Sequence, residues 1–140
     1  MKKVIAFLFL LTLSGCTQTN SKEFKEIVDV KSLSKIDVID GRNGKRYSLK
    51  EDKQQFVDLL TERIYKKMKH HEKTKGYIYH ANLFSDEKEF SITFLDDGIE
   101  INDIYYSLNK PITENEISDL LEWDSRLIDQ WYVRFIHLMD

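Results

Sequence analysis

Cysteine and proline are almost absent from this chain of 140 residues, which contains one of each, Cys16 and Pro111. A single cysteine cannot form a disulfide within the chain, so the folded part must be stabilised by its core alone. Zinc sites built from several thiolates are excluded for the same reason. Pro111 is expected to end the last strand of any sheet, because proline cannot donate to a strand ladder.

The sequence also lacks the short motifs that mark common catalytic and nucleotide-binding sites. It has no Gly-x-Ser-x-Gly, no phosphate-binding loop and no dinucleotide-binding glycine pattern. Its histidines, which include the adjacent pair His70 and His71, show no His-x-x-x-His spacing, and neighbours on a helix point about 100° apart. We therefore expect no metal and no cofactor.

Long hydrophobic runs are missing except at the N-terminus, where residues 4–13 are almost purely apolar and follow Lys2 and Lys3. A basic start, an apolar stretch of this length and a small-residue exit are typical of an export signal. A membrane-spanning helix needs about 20 apolar residues, so this run is too short to be one. We expect residues 1–15 to be a signal peptide.

The end of this segment, Leu13-Ser14-Gly15-Cys16, resembles the bacterial lipobox. The resemblance implies cleavage between Gly15 and Cys16, a diacylglyceryl group on the Cys16 thiol, and often a further fatty acyl chain such as palmitate. The mature protein would then be a lipoprotein held on the extracytoplasmic side of the cell membrane, without a free thiol for catalysis. Two or more fatty chains anchor firmly, at about 0.8 kcal/mol per buried methylene.

The chain behind the anchor is short and negatively charged. Residues 16–23 are polar and are expected to form a flexible tether that reaches about 15 Å, and residues 24–140 suffice for one small domain. Without Lys2 and Lys3, 19 basic residues remain against 24 acidic ones, a net charge of −5. Such a domain is not suited to nucleic acid, and an anionic membrane surface would repel it weakly.

The hydrophobic pattern predicts an α+β domain. Phe56, Leu60, Ile64 and Met68 recur at every fourth position and favour a helix over residues 51–69, whereas Thr113 and Glu116 form a capping box that opens a second helix. Residues 24–30 fit either a strand or a helical turn. Alternating segments predict strands at residues 35–40, 45–49, 77–84, 89–95, 99–101 and 104–108.

This order, β-β-α-β-β-β-β-α, indicates an antiparallel sheet with two amphipathic helices packed on one face. One dense basic run falls at the end of the first predicted helix. It could contact anionic lipid headgroups or a wall polymer, but a solvated helix end that complements the helix dipole is the favoured interpretation. The run consists of Arg63, Lys66, Lys67, Lys69, Lys73 and Lys75.

A candidate binding face follows from the period of two in the strands. If the helices cover Phe90, Ile92 and Phe94, then Ser91, Thr93 and Glu100 lie on the opposite face. The register of residues 77–84 leaves two alternatives: Tyr77 and Tyr79 share that open face, or Ile78, His80 and Asn82 do. The tyrosines are favoured because they tolerate a wet surface. The candidate face is therefore Tyr77, Tyr79, Ser91, Thr93 and Glu100.

Two functions remain open at this point. The favoured one is a non-enzymatic binding module of the cell envelope, whose partner is a protein or an envelope polymer. The alternative is a wall-modifying hydrolase with an unrecognised site. The lipobox, the small size and the composition are together similar to small lipoproteins of Gram-positive bacteria that carry no assigned activity.

Lipidation at Cys16 is directly testable. Cys16→Ala removes the only thiol that can accept a diacylglyceryl group, so we expect an unprocessed precursor or a released protein. Metabolic labelling with a fatty-acid analogue should mark the wild-type chain and not the variant. A Cys16→Ala protein that is still labelled would show that the assignment is wrong.

Overall fold

The structure is a computed structural model that describes residues 20–71 and 77–122. The predicted signal peptide, Cys16 and the part of the predicted last helix from residue 123 onward lie outside the described residues. The helices are α1 (Phe24–Ile27), a 3-10 turn (Val30–Ser32), α2 (Lys53–Thr61) and α3, which includes residues 114–122. The strands are β1 (Ser21–Glu23), β2 (Leu33–Asp40), β3 (Arg46–Leu49), β4 (Ile64–Lys67), β5 (Tyr79–Ser85), β6 (Glu89–Leu95), β7 (Gly98–Ile101) and β8 (Ile104–Leu108).

All eight strands belong to one sheet in the order β1-β4-β8-β7-β6-β5-β2-β3, and every neighbouring pair is antiparallel. The predicted α+β class with an antiparallel sheet is confirmed. The turn between β7 and β8 shows why the chain doubles back here. Asn102 and Asp103 have φ angles of 47° and 64°, which a type I′ hairpin turn requires and which these two residue types tolerate well.

The core lies against one face of the sheet, and the period of two selects its residues. The ring of Phe56 in α2 meets the ring of Phe94 in β6 edge-on, with 6.0 Å between centroids. Ile117 and Leu121 of α3 belong to the same buried cluster. Each such aliphatic or aromatic side chain contributes about 1.5–3 kcal/mol when it is fully buried. The strand residues of this core include Ile36, Val38, Tyr65, Ala81, Leu83, Ile92, Ile99, Ile101 and Tyr106.

The predicted helix over residues 51–69 is wrong in its second half. Helix α2 ends at Thr61, and the next residues form β4, which pairs with β1 on one side and β8 on the other. In a strand Tyr65 points into the core, where it is fully buried and donates to the Leu60 carbonyl at 2.8 Å. Ile64 and Met68, taken for the apolar stripe of a helix, are instead 40% and 39% exposed.

The predicted tether is also too long. Ser21–Glu23 form β1 and pair antiparallel with β4, with Ser21 opposite Lys66. The ambiguous segment that follows begins with the helical turn α1, whose Phe24 is fully buried with its ring 5.6 Å from that of Tyr65. The domain therefore includes Ser21, and at most residues 17–20 separate it from Cys16.

Among the described residues, no helix is both long and apolar enough to cross a bilayer.

One buried arginine joins the end of α2 to the start of α3. Arg63 is fully buried, and its guanidinium donates to the Leu59 carbonyl at 3.0 Å and to Glu116 at 2.6 Å. Glu116 also accepts from the Thr113 backbone N–H at 2.9 Å, which confirms the predicted capping box. The Thr113 backbone, and then Arg63, lower the pKa of the Glu116 carboxyl to about 2.

This depressed pKa predicts how stability depends on pH. The Glu116 carboxylate contributes stability above its ordinary pKa of 4.5, and that contribution is lost as pH falls toward about 2. We expect Glu116→Gln to be less stable than wild type at pH 6, and the difference to shrink between pH 4.5 and 2. Urea unfolding followed by circular dichroism measures it. Asp119→Asn, on the same helix, is the control. A difference that stays constant over this range would contradict the prediction.

Candidate functional site

The sheet face opposite the core carries a continuous row of side chains. Strand register places Ile39 beside His80, His80 beside Thr93, Thr93 beside Glu100, and Glu100 beside Tyr105. A second row runs parallel to it through Asp37, Asn82 and Ser91. All of these residues are half-buried, in alternation with the buried residues of the core face. The term polar face is used below for His80, Asn82, Ser91, Thr93, Glu100 and Tyr105.

Hydrogen bonds fix the histidine at the centre of the polar face. His80 Nε2 lies 2.9 Å from the side-chain oxygen of Asn82, and His80 Nδ1 lies 3.1 Å from the Thr93 hydroxyl. An amide oxygen only accepts, so Nε2 carries the proton, and in the neutral ring Nδ1 accepts from Thr93. The imidazole is therefore held in one tautomer and one orientation. The ring of Tyr77 stands edge-on to it at 5.9 Å.

A second histidine lies at the far end of the row. The His71 ring stacks on the Tyr105 ring with 3.6 Å between centroids, and its Nε2 lies 3.3 Å from the Asp97 carboxylate. Tyr105 donates its hydroxyl to the Asp97 carbonyl at 2.9 Å. Burial, together with the nearby Asp97 charge, raises the pKa of the Tyr105 phenol to about 12. The phenol therefore stays protonated at neutral pH and keeps donating.

The packing of Tyr105 also explains Gly98. A β-carbon at this position would lie 2.5 Å from the Tyr105 hydroxyl oxygen and 2.5 Å from a backbone carbonyl oxygen. The Asp96-Asp97-Gly98 sequence predicts a hairpin turn, and the turn is present between β6 and β7. The glycine itself is the first residue of β7, where the absence of a side chain makes room for the aromatic ring.

The predicted position of Tyr79 is wrong. It pairs with Phe94 on the core face and is 1% exposed, so the alternative register, with His80 and Asn82 on the open face, is the one adopted. Burial of this tyrosine is tolerated because the Arg42 guanidinium donates to its hydroxyl at 2.7 Å. Phe84, on the same face as His80 and Asn82, is half-buried, and the Lys35 ammonium lies 4.6 Å from its ring centroid.

The other predicted site residues divide into two groups. Ser91, Thr93 and Glu100 lie together on the face opposite the core. Tyr77 precedes β5, is 44% exposed and borders the polar face through its contact with His80. The sequence interpretation missed Tyr105, which lies in β8 at the end of the row, and His71, which follows β4 and contacts Tyr105 and Asp97 there.

An ion pair beside Tyr79, between the buried Asp40 and the partly exposed Arg42, was also missed. Asp40, the last residue of β2, is almost fully buried, and both of its oxygens accept from Arg42, at 2.9 and 2.6 Å. These bonds hold the pKa of the Asp40 carboxyl below its usual range. Arg42 also pairs with Glu114 at the start of α3. The available signal was an aspartate that ends an alternating strand two residues before an arginine.

Neither the groove beside the helices nor the basic run coincides with the polar face. A shallow groove of about 480 Å³ between α2 and α3 is lined by acidic residues that include Asp58, Glu62 and Asp119. Within the described ranges, no three histidine, aspartate, glutamate or cysteine side chains are placed to hold a metal ion. In the basic run, Arg63 is buried and Lys66 lies in β4, whereas residues 73 and 75 lie outside the described residues.

The chain matches no protein-family model, no curated protein and no solved structure. The site itself must therefore carry any inference about function. Its chemistry is that of a fixed imidazole, hydroxyl and amide groups, one carboxylate and aromatic rings on a half-exposed sheet face.

The two neighbouring tyrosines give a test of this register. Tyr79→Ala removes a buried ring and the hydroxyl that accepts a hydrogen bond from Arg42. We therefore expect the free energy of unfolding to fall by about 3–5 kcal/mol. Tyr79→Phe should cost about 1 kcal/mol, for the lost hydrogen bond. Tyr77→Ala, at an exposed position, should change stability by less than about 1 kcal/mol. Urea unfolding measures all three, and equal losses for Tyr77→Ala and Tyr79→Ala would contradict the register.

Proposed function

We propose that this protein is a lipoprotein anchored through Cys16 on the extracytoplasmic side of the cell membrane, and that its polar face binds a protein or envelope polymer without catalysing a reaction. The observation that carries the proposal is the row His80–Thr93–Glu100–Tyr105. Aromatic rings among small polar groups are typical of recognition surfaces, where a few anchors supply most of the binding energy.

The packing of the helices supports this assignment. Phe56 of α2 contacts Phe94, and Ile117 and Leu121 of α3 join the same core, so both helices occupy the side opposite the polar face. Of the exposed apolar side chains, Tyr77 borders the polar face through its ring contact with His80. Within the described residues the large exposed hydrophobics are Ile64, Met68 and Tyr77. Ile64 shares its face of β4 with Lys66, which pairs with Ser107, and Met68 contacts Ser107.

One observation favours the alternative of a hydrolase. The hydrogen-bonded order Thr93–His80–Asn82 matches a nucleophile, a base and a group that orients the base. Acyl transfer also needs free N–H donors for the developing oxyanion. Strands β5, β6 and β7 each pair on both sides, so their backbone N–H groups are largely used within the sheet. Binding is therefore the better-supported function.

Site-specific photo-crosslinking in the native membrane tests the binding proposal. A photo-reactive residue at position 100 lies within the polar face, whereas one at position 88 lies in the exposed turn between β5 and β6. We expect one discrete adduct from position 100 and none from position 88. Tyr77→Ala, combined with the probe at position 100, should reduce the adduct severalfold, because an aromatic anchor is lost. Equal crosslinking from positions 88 and 100 would contradict the proposal.

The hydrolase alternative is tested separately, by the release of fragments from purified envelope. Purified envelope incubated with the wild-type protein should remain intact if the polar face only binds. Fragments released by wild type and not by Thr93→Val would show that Thr93 acts as a nucleophile and would overturn the binding proposal. Val replaces the hydroxyl of Thr93 with a methyl group of similar size and keeps the β-branched shape that a strand favours.

A further inference from the structure

The sheet edge formed by β1 and β4 differs from the rest of the molecule in charge and exposure. Residues 21–23 and 64–69 contain four lysines and one glutamate, a net charge of +3, whereas the whole chain has a net charge of −3. The one glutamate, Glu23, is paired with Lys25 at 2.5 Å. The term basic edge is used for this strip, with its lysines Lys22, Lys66, Lys67 and Lys69.

The lysines of the basic edge are available for a partner. All four are exposed, and none forms an ion pair with another residue in the described part of the chain. Two large apolar side chains, Ile64 at 40% and Met68 at 39% exposure, lie on the Lys66 side of this edge, whereas Lys22 and Lys67 leave it on the side of Tyr65. Exposed apolar groups flanked by lysines are the composition of surfaces that settle at a membrane interface.

The position of this edge in the sheet decides which partner is nearest. Strand β1 is the outermost strand, and Ser21 opens it five residues after Cys16. Five extended residues span at most about 17 Å. A lipid on Cys16 therefore holds β1 and β4 closer to the headgroups than any other strands. The lysine side chains bridge part of the distance between the lipid headgroups and the backbone of β1 and β4. Charges within about 8 Å of each other still interact at physiological salt.

We propose that the basic edge rests on anionic lipid headgroups, with the lysines beside the phosphates and with Ile64 and Met68 in the interfacial layer. This inference rests on the proposed lipid anchor at Cys16. It sets the orientation of the domain: the sheet stands on β1 and β4, and β3 points away from the membrane. The centre of the polar face on β6 is four strands from β1, which is about 19 Å at a spacing of about 4.8 Å.

Lysine labelling on vesicles tests the orientation. The full chain is purified from the membrane of an expressing bacterium and reconstituted into vesicles of phosphatidylcholine alone or mixed with phosphatidylglycerol. An amine-reactive reagent and mass spectrometry give the labelling rate of each lysine. We expect the rates of Lys22, Lys66 and Lys67 to fall roughly fivefold on the anionic vesicles, the factor by which one lysine favours such a surface. Lys45 and Lys88, remote from this edge, should not change, and high salt should abolish the protection.

Variants separate a membrane contact from indirect effects. Lys66→Gln with Lys67→Gln should return the labelling of Lys22 on anionic vesicles to its rate on phosphatidylcholine. The matched control, Lys45→Gln with Lys50→Gln beside the opposite edge strand β3, should leave the protection of Lys22 in place. Because all four lysines are exposed, neither pair is expected to disturb folding. If both pairs relieve the protection equally, net charge and not the basic edge is responsible, and the inference fails.

The remaining outcomes are distinct. Equal labelling of Lys66 and Lys67 on both vesicle types, with the protein still bound to the vesicles, overturns the orientation and leaves the lipid anchor intact. A protein that does not remain with either vesicle type lacks the anchor, which overturns the proposed function and the inference together. Protection that appears in native membranes and never on vesicles identifies a protein partner for the basic edge and overturns the lipid assignment.

Discussion

The fold depends on the guanidinium of Arg63. It is fully buried where α2 ends and β4 begins, and it connects the Leu59 carbonyl to the Glu116 carboxylate of α3. Burial of this charge is tolerated only because a carboxylate and a helix-end carbonyl surround it. Its Nε has no partner among the described residues, so the arrangement carries a desolvation cost that the other bonds must offset. Removal of Glu116 would leave the buried guanidinium with only the Leu59 carbonyl and the mostly exposed Glu62 carboxylate as partners.

The position of Arg63 has consequences along the chain. Helix α2 ends two residues before Arg63, and the residues directly after Arg63, Ile64–Lys67, form β4 although the apolar i+4 pattern of the helix continues through them. Strand β4 pairs with β1, and this pairing brings residues 21–23 into the sheet. The buried guanidinium therefore lies between the end of a helix and the strand that pairs with β1.

The sequence predicts the central strands and their turns because local signals are strong there. The alternation of Phe90, Ile92 and Phe94 and the Asn102-Asp103 turn need no distant partner. The predicted helix over residues 51–69 and the predicted β5 register are wrong because both depend on contacts between residues far apart in sequence. The i+4 spacing that ends at Met68 is compatible with a helix and gives no sign that Arg63 contacts Glu116, 53 residues away. The register of β5 depends on the burial of Tyr79, whose hydroxyl accepts a hydrogen bond from the guanidinium of Arg42, 37 residues away.

Contacts between residues far apart in sequence also limit how much of the candidate site can be predicted from the sequence. Ser91, Thr93 and Glu100 follow from alternation alone, whereas His80 reaches the polar face only because Tyr79 is held inside. The candidate site is built on β5, β6, β7 and β8, which are each paired on both sides, so its backbone would lose little further freedom if a partner bound. His80 is fixed by two hydrogen bonds and Tyr105 by Gly98 and Asp97. For the proposed binding role, a face already ordered in this way would spend little binding energy on ordering side chains, which favours a partner whose shape is also fixed.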